Sequence, residues 1–332
     1  MSPRQPTERD ESGAQVTVLL PVFNGRAHLA AALDSVLRQT FRDFVLLAID
    51  DGSTDGSGEL LDAYAARDRR VSVLHKINSG ISDTLNLGLE RAATPLIARM
   101  DADDVMRPER LARQAAFMAE HPDLAFAGCF FDMVDSDGRV FRSSRPGPVT
   151  RRELARMLAR GAPITFTHPT VIYRREAVLA VGGYRRETEP CEDTDLFGRL
   201  ITAGRLGLVQ PEPLMEYRVH GGSISARKVA LQFQMQCLVT ANLYRRRRGQ
   251  AELDLAAWRT ARGAAGRLAR WHERRREWSA ILLRQALYDF ADHRVLRCGL
   301  RIAMAGLVRP ATAAGRLIGR PQRPALRAEL PR

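Results

Sequence analysis

FVLLAIDDGSTDGS, residues 44–57, sets an almost unbroken apolar run against an abrupt acidic, glycine-rich turn. A strand with one wet face alternates apolar and polar residues, whereas FVLLAI reads as a strand buried on both faces. Outward from it the pattern recurs: VTVLLPV at 16–22, the short VSVLH at 71–75, and PLIARM at 95–100 running into DADD. Between these strands, residues 27–38, about 56–67 and 82–92 carry apolar side chains at helical spacing. Such alternation predicts an α/β fold, a mostly parallel central sheet with helices on both faces.

Beyond Pro108 the pattern is less regular. It predicts a helix at about 108–120, an apolar strand in 124–131 and a turn at Asp135–Gly138. Helices near 149–160 and 193–203, a strand at 170–173, and short strands around 206–209 and 214–219 follow. From about 227 onward only helical patterns rich in Ala, Leu and Arg remain. The expected division is a polar tail (1–15), an α/β unit (16–225) and a helical, Arg-rich extension (226–332) with a poorly ordered end after 309.

With 332 residues and 45% apolar content, the chain suits a soluble protein with one sizeable core. No apolar run approaches the roughly 18–20 residues that span a bilayer. The first fifteen residues lack the hydrophobic stretch of a secretory signal. A cytoplasmic protein is expected. The four cysteines (Cys129, Cys191, Cys237, Cys298) are scattered without a CxxC, which disfavours a disulfide framework or a zinc site. The net charge of +13 is unevenly spread: residues 226–332 hold 23 Arg and Lys against 7 Asp and Glu, and the preceding residues 28 against 31.

Ligands of a parallel sheet gather beyond the carboxyl ends of its strands. There, Asp50 and Asp51 close the second strand, and Asp101, Asp103 and Asp104 close the fourth. Carboxylates at one edge repel unless a cation or hydrogen-bond donors offset them. Mg²⁺ or Mn²⁺ takes one or two protein carboxylates and completes its shell with water and phosphate oxygens, which suits a diphosphate-bearing ligand. Asp-Gly and Ser-Thr-Asp are also turn and N-cap chemistry, and an acidic cluster can be a solvated turn. The position after successive buried strands favours the ligand reading.

VTVLLPVFNGRAHL, AIDDGSTDGS, NSGISDTLNLG, LIARMDADDVMRPERL, HPTVIYRREAV with GGYR, CEDTDLFGRL and YRVHGGSIS occur in that order. Together they resemble the family 2 glycosyltransferases, inverting enzymes with the A-type nucleotide-sugar transferase fold, over residues 16 to about 225. The resemblance implies sugar transfer from a nucleotide-diphosphate donor (UDP-, dTDP- or GDP-linked) to a glycan or lipid-linked glycan acceptor, as in bacterial surface polysaccharide or glycolipid synthesis. It places the nucleotide against Pro21, Phe23 and Asn24, and the base against Asp51 beside Asp50. Asp101 matches the first acid of the DxD element, near ribose or metal, and Asp103 the metal ligand, while Asp104 caps the turn. Asp193, with Glu192, matches the catalytic base of the ED motif. The acidic pair also suits a helix N-terminus electrostatically. Thr194 and Phe197 depart from two aromatic positions that the family often has here, which bears on acceptor contacts.

Inverting transfer needs charge stabilisation on the leaving diphosphate and a base for the acceptor hydroxyl. His220 is a candidate diphosphate donor or metal ligand, against the structural role of most lone histidines. His168 reads as a loop-fixing residue. Arg99 reads as an ion-pair partner of the nearby acids with a phosphate contact as alternative; Asn78 is a turn or nucleotide-pocket residue, and Asn86 a packing one. The clusters Arg245–Arg248 and Arg274–Arg276, beside Trp271, His272 and Trp278, suit a solvated helix face or an anionic membrane surface. Nucleic acid is the least favoured partner, because no aromatic-interleaved RNA module is present. Two other classes compete. A sugar nucleotidyltransferase would carry a Gly-rich basic loop after the first strand, which PVFNGRAHL is not. A non-catalytic binding protein would have no need of both acid motifs and Glu192–Asp193.

Overall fold

The computed structural model describes residues 14–162, 164–264 and 266–308. The polar segment 1–13 and the Pro-containing end from 309 lie outside the described residues. β1 (Val16–Val22), α1 (Arg26–Leu37), β2 (Phe44–Asp50), α2 (Ser57–Ala65), β3 (Val71–His75), α3 (Ile81–Arg91) and β4 (Leu96–Arg99) alternate through the first hundred residues. β1, β4 and nearly all of β2 are buried along their lengths, as strands covered on both faces must be. The chain continues as β5 (Val105–Met106), α4 (Arg110–Glu120), β6 (Leu124–Val134), β7 (Val140–Ser144), α5 (Arg151–Ala159), β8 (Ile172–Arg174), α6 (Arg175–Ala180), α7 (Glu192–Thr202) and β9 (Leu206–Arg218). Helices α8 (Ile224–Arg227), α9 (Val229–Arg246), α10 (Leu255–Gly263), α11 (Arg267–Ala291) and α12 (Val295–Val308) complete it.

The strands form one sheet in the order β3-β2-β1-β4-β8-β6-β9-β5, with β7 on β6. β3, β2, β1 and β4 are parallel; β8 runs antiparallel between β4 and β6, and β6 and β9 are parallel. The expected α/β architecture is present, parallel in its first half and mixed beyond. Register matters most for function. Val22 lies opposite Asp50 and Asp50 opposite His75, so β1–β3 end level at one rim, while β4 stops at Arg99 opposite Leu19 and the DADD turn that follows climbs to that rim.

β9 is a single long strand where two short ones were expected. Its middle, Gln210–Pro213, passes beside register shifts around Phe130. Pro211 and Pro213 cannot donate to the ladder, so the strand bulges there without stopping. Below the rim, Arg110 is fully buried and donates to Arg99 O at 3.0 Å and Gln114 Oε1 at 3.0 Å. Burial brings its guanidinium down to about 10.

The C-terminal helices pack onto this body. Cys191, at the head of α7, clusters with Met235, Leu238 and Val239 of α9 and Trp258 of α10. Arg245–Arg248 is only in part the free basic face that its composition suggests, since Arg247 and Arg248 are exposed and the first two are engaged. Arg246, its side chain 15% exposed, lies 3.0 Å from Glu252 and 3.6 Å from Asp195 of α7, and Arg245 Nε donates to Ala251 O at 2.6 Å. Asp195 also pairs with Arg199 at 2.7 Å, and Arg199 donates to Val181 O and Gly183 O.

Removing one member of a buried pair costs about 3–5 kcal/mol, and without Arg199 the Asp195 charge keeps only the more distant Arg246, at 3.6 Å. Arg199→Met is therefore expected to lower the urea midpoint of unfolding clearly. An unchanged midpoint would show that α7 is held by packing alone.

Candidate active site

Two loops meet first at the rim, after β1 and β2. Asn24 has a φ of 51°, and its Oδ1 accepts from Thr54 N at 2.8 Å while its own N–H donates to Ser53 Oγ at 2.9 Å. Gly25 N donates to Ser57 Oγ (3.1 Å) and Arg26 N to Asp55 Oδ2 (3.0 Å), so NGR is laced to STDGS. Pro21 is buried at the end of β1, and the Phe23 ring is 54% exposed at the lip. Gly52 has a φ of 75°, and a Cβ there would sit 2.9 Å from Asn78 N. Only glycine fits that close approach.

The adjacent acids Asp50 and Asp51 have different tasks. Asp50 accepts from Ser53 N at 3.0 Å and contacts His75 Nδ1 at 3.1 Å. Burial opposes its ionisation, but the bonds from Ser53 and His75 prevail and hold its carboxyl below the usual range. It organises the turn. Asp51 faces the loop after β3: its Oδ1 takes Lys76 Nζ and Ser79 N (2.9 Å), and its Oδ2 takes Gly80 N (3.1 Å). Asn78 Nδ2 donates to Asp51 O at 2.9 Å. A carboxylate offers about four acceptor positions, so one on Oδ2 remains open.

The DADD turn follows β4. Arg99 is 2% exposed and its guanidinium lies 2.6 Å from Asp101 Oδ1. Asp103 Oδ2 contacts His220 Nε2 at 2.9 Å, and Arg218 donates to Asp103 O (3.0 Å) and Asp104 Oδ1 (2.8 Å). Asp101, Asp103 and Asp104 bring carboxylate oxygens within 4.8 Å of one another. Burial pushes the Asp101 carboxyl up, with Arg99 opposing and Asp103 adding to the shift. Burial, Asp103 and Asp101 push Asp104 well above the usual range. Asp104 Oδ2 is buried with no hydrogen-bond partner among the described residues. Three hard oxygen donors crowded together, one of them orphaned, fit a small divalent cation. His220 meets Asp103 directly, as an orienting partner of a ligand does.

The ED pair closes the site from the far side. Asp193 lies in the first turn of α7, half-buried, and its Oδ1 accepts from Thr194 N at 2.6 Å. Burial pushes Asp193 up to about 6 against the Thr194 bonds, and the charges of Arg99 and Asp101 act on it. Burial, then Asp193, pushes Glu192 up to about 8. Glu189 ties this segment to the nucleotide side, since its Oε1 accepts from Ser82 N at 3.0 Å and its charge raises Glu192. The two acid motifs and the ED pair thus belong to one connected rim.

His168 is buried, with Nε2 2.8 Å from Tyr184 OH, and burial and Arg99 hold it well below its ordinary value. Asn86 takes Tyr184 N (2.8 Å) and donates to Tyr184 O (2.9 Å), a packing role. Phe197 stacks inside the core on Phe126. Residues that sequence reasoning passed over also stand here. Lys76 binds Asp51, Arg218 spans the DADD turn, Glu189 joins α3 to α7, and His28 meets the His220 ring edge-on at 5.3 Å. Lys76 was findable as one of only two lysines, placed directly after a strand.

The model of the glycosyl transferase family 2 matches residues 17–182. The putative glycosyltransferase EpsE of Bacillus subtilis is 32% identical over 235 residues, covering 69% of this chain and 81% of EpsE. The amylovoran biosynthesis glycosyltransferase AmsE of Erwinia amylovora is 28% identical, covering 64% of this chain and 79% of AmsE. Other relatives match over less of their length, such as EpsJ of Bacillus subtilis, of which 36% is covered. The fold is shared with S. aureus TarS 1-349 in complex with UDP (TM-score 0.54, 16% identity, 92% of each chain). It is also shared with the Pyrobaculum calidifontis mannosyltransferase PcManGT in complex with GDP-Man and Mn²⁺ (TM-score 0.53, 16% identity, 95% of this chain and 83% of that one). The chain belongs to glycosyl transferase family 2. It is a glycosyltransferase with the A-type fold.

Glu192 gives the site a stability signature. Folded, it keeps its proton to about pH 8, whereas an unfolded glutamate loses it near about pH 4.3. The folded state binds more protons between those values, so stability falls as pH rises through that window. Glu192→Gln should match the wild type at pH 4 and exceed it by a few degrees in Tm at pH 8–9. Equal Tm values at both ends would contradict the burial of this carboxyl.

Proposed function

We propose that residues 16–225 form a metal-dependent inverting transferase, moving a sugar from a nucleoside diphosphate to an acceptor hydroxyl, and that 226–308 buttress it. One observation carries this reading: three carboxylates crowd beyond β4, one oxygen orphaned, opposite a carboxylate raised to about 6. UDP, dTDP or GDP carriers suit the nucleotide side, as solved neighbours hold UDP and GDP-Man. The open position on Asp51 Oδ2 faces an N–H of the base, with Asn24 and Asn78 shaping the loops around it. The relative named for amylovoran biosynthesis supports a glycan or lipid-linked glycan as acceptor.

Asp103 with Asp101 would hold Mn²⁺ or Mg²⁺, with His220 orienting Asp103 or completing the shell. Such a cation supplies Lewis-acid stabilisation for the charge on the departing diphosphate. Arg99 steadies Asp101 and keeps the site positive beneath it. Asp193 Oδ1 is occupied by Thr194, leaving Oδ2 for the acceptor proton. As the acceptor oxygen bonds to the anomeric carbon, the carbon–oxygen bond to the diphosphate breaks on the opposite face, and configuration inverts. The leaving group keeps the bonding pair, and the hydroxyl proton moves to Asp193. A base near 6 is ionised at neutral pH yet more basic than an ordinary aspartate, which suits this task. Glu192, protonated at neutrality, offers a hydrogen bond without adding a second charge.

Asp193→Asn should lower transfer about 10²–10⁴-fold with an unchanged circular dichroism spectrum. Asp103→Asn should abolish transfer likewise, and chelation should remove wild-type activity until Mn²⁺ or Mg²⁺ is restored. Full activity in purified Asp193→Asn would remove the base assignment; activity indifferent to chelator would remove the cation.

A further inference from the structure

The outward side of the C-terminal hairpin is unlike a surface built only for water. On α12, Leu296, Leu300, Met304 and Leu307 are 91%, 63%, 44% and 82% exposed. They recur every three or four residues and so share one face. Packing settles which face is outward. Arg301 pairs with Asp289 of α11 at 2.8 Å, and Ala305, fully buried, has its O 3.4 Å from Ser279 Oγ. On α11, Trp271 and Trp278 are 50% and 61% exposed and stand two turns apart on one side. Arg275 joins the two surfaces, its guanidinium 4.5 Å over the Trp271 ring and its Nε donating to Val308 O at 2.6 Å.

Charge selects what covers this face. The hairpin's acids are engaged: Glu273 and Glu277 with Arg262, Asp289 with Arg301, and Asp292 with Gly221 N and Arg294. Arg267, Arg274 and Arg297 are exposed and have no acidic partner among the described residues. A second copy on this face would set arginine against arginine. Residues 309–332 bring six arginines against a single glutamate, so they share its sign. An anionic surface is complementary.

We propose that α12 and the Trp-bearing side of α11 dock flat on a bilayer rich in anionic phospholipid. At 14 residues α12 is too short to span the bilayer, and no described helix is long and apolar enough to do so. An amphipathic helix lies in the interface with its apolar side among the acyl chains. The tryptophans suit the headgroup level, and each arginine there strengthens adhesion about fivefold. The sequence suggested lipid contact through Arg245–Arg248 and Arg274–Arg276 with the neighbouring tryptophans; this docking face keeps Arg274 and the tryptophans and adds a leucine face that composition did not single out. The hairpin also reaches the site. Gly221, beside His220, donates to Asp292 at 3.1 Å, and Ser136 N donates to Ala291 O at 3.3 Å. Docking therefore holds the Asp103–His220 edge near the membrane. An acceptor presented there fits, a consequence that rests on the transferase reading, whereas docking itself does not.

The test is flotation of the full chain with vesicles of phosphatidylglycerol and phosphatidylcholine, against pure phosphatidylcholine. The wild type should float with the anionic vesicles and lose affinity as salt rises. L300E/L307E should bind at least tenfold more weakly, with unchanged circular dichroism and unchanged donor hydrolysis. R267Q/R274Q/R297Q should flatten the salt dependence. No flotation of the wild type, or equal flotation of L300E/L307E, would overturn the proposal. So would a wild-type dimer in sedimentation velocity that L300E/L307E dissociates without any vesicle binding. Donor hydrolysis is read separately, so its absence in the wild type would count against the transferase reading and leave docking to the vesicles.

Discussion

Three carboxylates held within 4.8 Å of one another at the end of a buried strand repel one another, and Asp104, the one that is buried, has the least water to screen it. Neighbouring structure is arranged around that repulsion. Arg99, buried beneath the turn, answers one charge through Asp101, and Arg218 binds the backbone of Asp103 and the inner oxygen of Asp104. His220 meets the outer oxygen of Asp103. These groups still leave Asp104 half-satisfied, a deficit that the proposed divalent cation with its diphosphate would remove. Catalytic positioning and electrostatic relief are then the same interaction.

The fold delivers those groups to one place by register. Parallel pairing sets Val22 opposite Asp50 and Leu19 opposite Arg99, which brings the DADD turn up to the ends of β1 and β2, and the loops after β1, β2 and β3 are tied to one another. The antiparallel β8 and the α7 that follows bring Glu192 and Asp193 to the same rim from the other half of the sheet. The carboxyl proposed as the base is tuned by this arrangement. Burial raises both carboxyls of the pair, and the charge of Arg99 opposes the rise.

Much of the fold was legible because buried parallel strands announce themselves as unbroken apolar runs, FVLLAI above all. The acids at their ends were legible for the same reason, since strand ends are where such sheets bind ligands. Residues that act through contacts distant in sequence were not. Glu189 reaches Ser82 across 107 positions and Asp103 finds His220 across 117, and no local pattern encodes either. Asp50 and Asp51 are neighbours with equal composition, and only their partners separate a turn organiser from a ligand-facing acid. The arginine run 245–248 divides in the structure: Arg247 and Arg248 face solvent as composition suggests, while Arg246 joins the buried support of α7. The register of β9 was hidden by its prolines.

In the proposed transferase, one cation and one diphosphate sit where the DADD turn, the Asp51 loop and α7 converge. Anomalous diffraction from crystals soaked with Mn²⁺ and a nucleoside diphosphate locates both directly. A single manganese peak bound by Asp103 and a phosphate oxygen, with the base beside Asp51, is the predicted result. Manganese elsewhere, or a nucleotide bound away from Asp51 with the DADD turn empty, would contradict it.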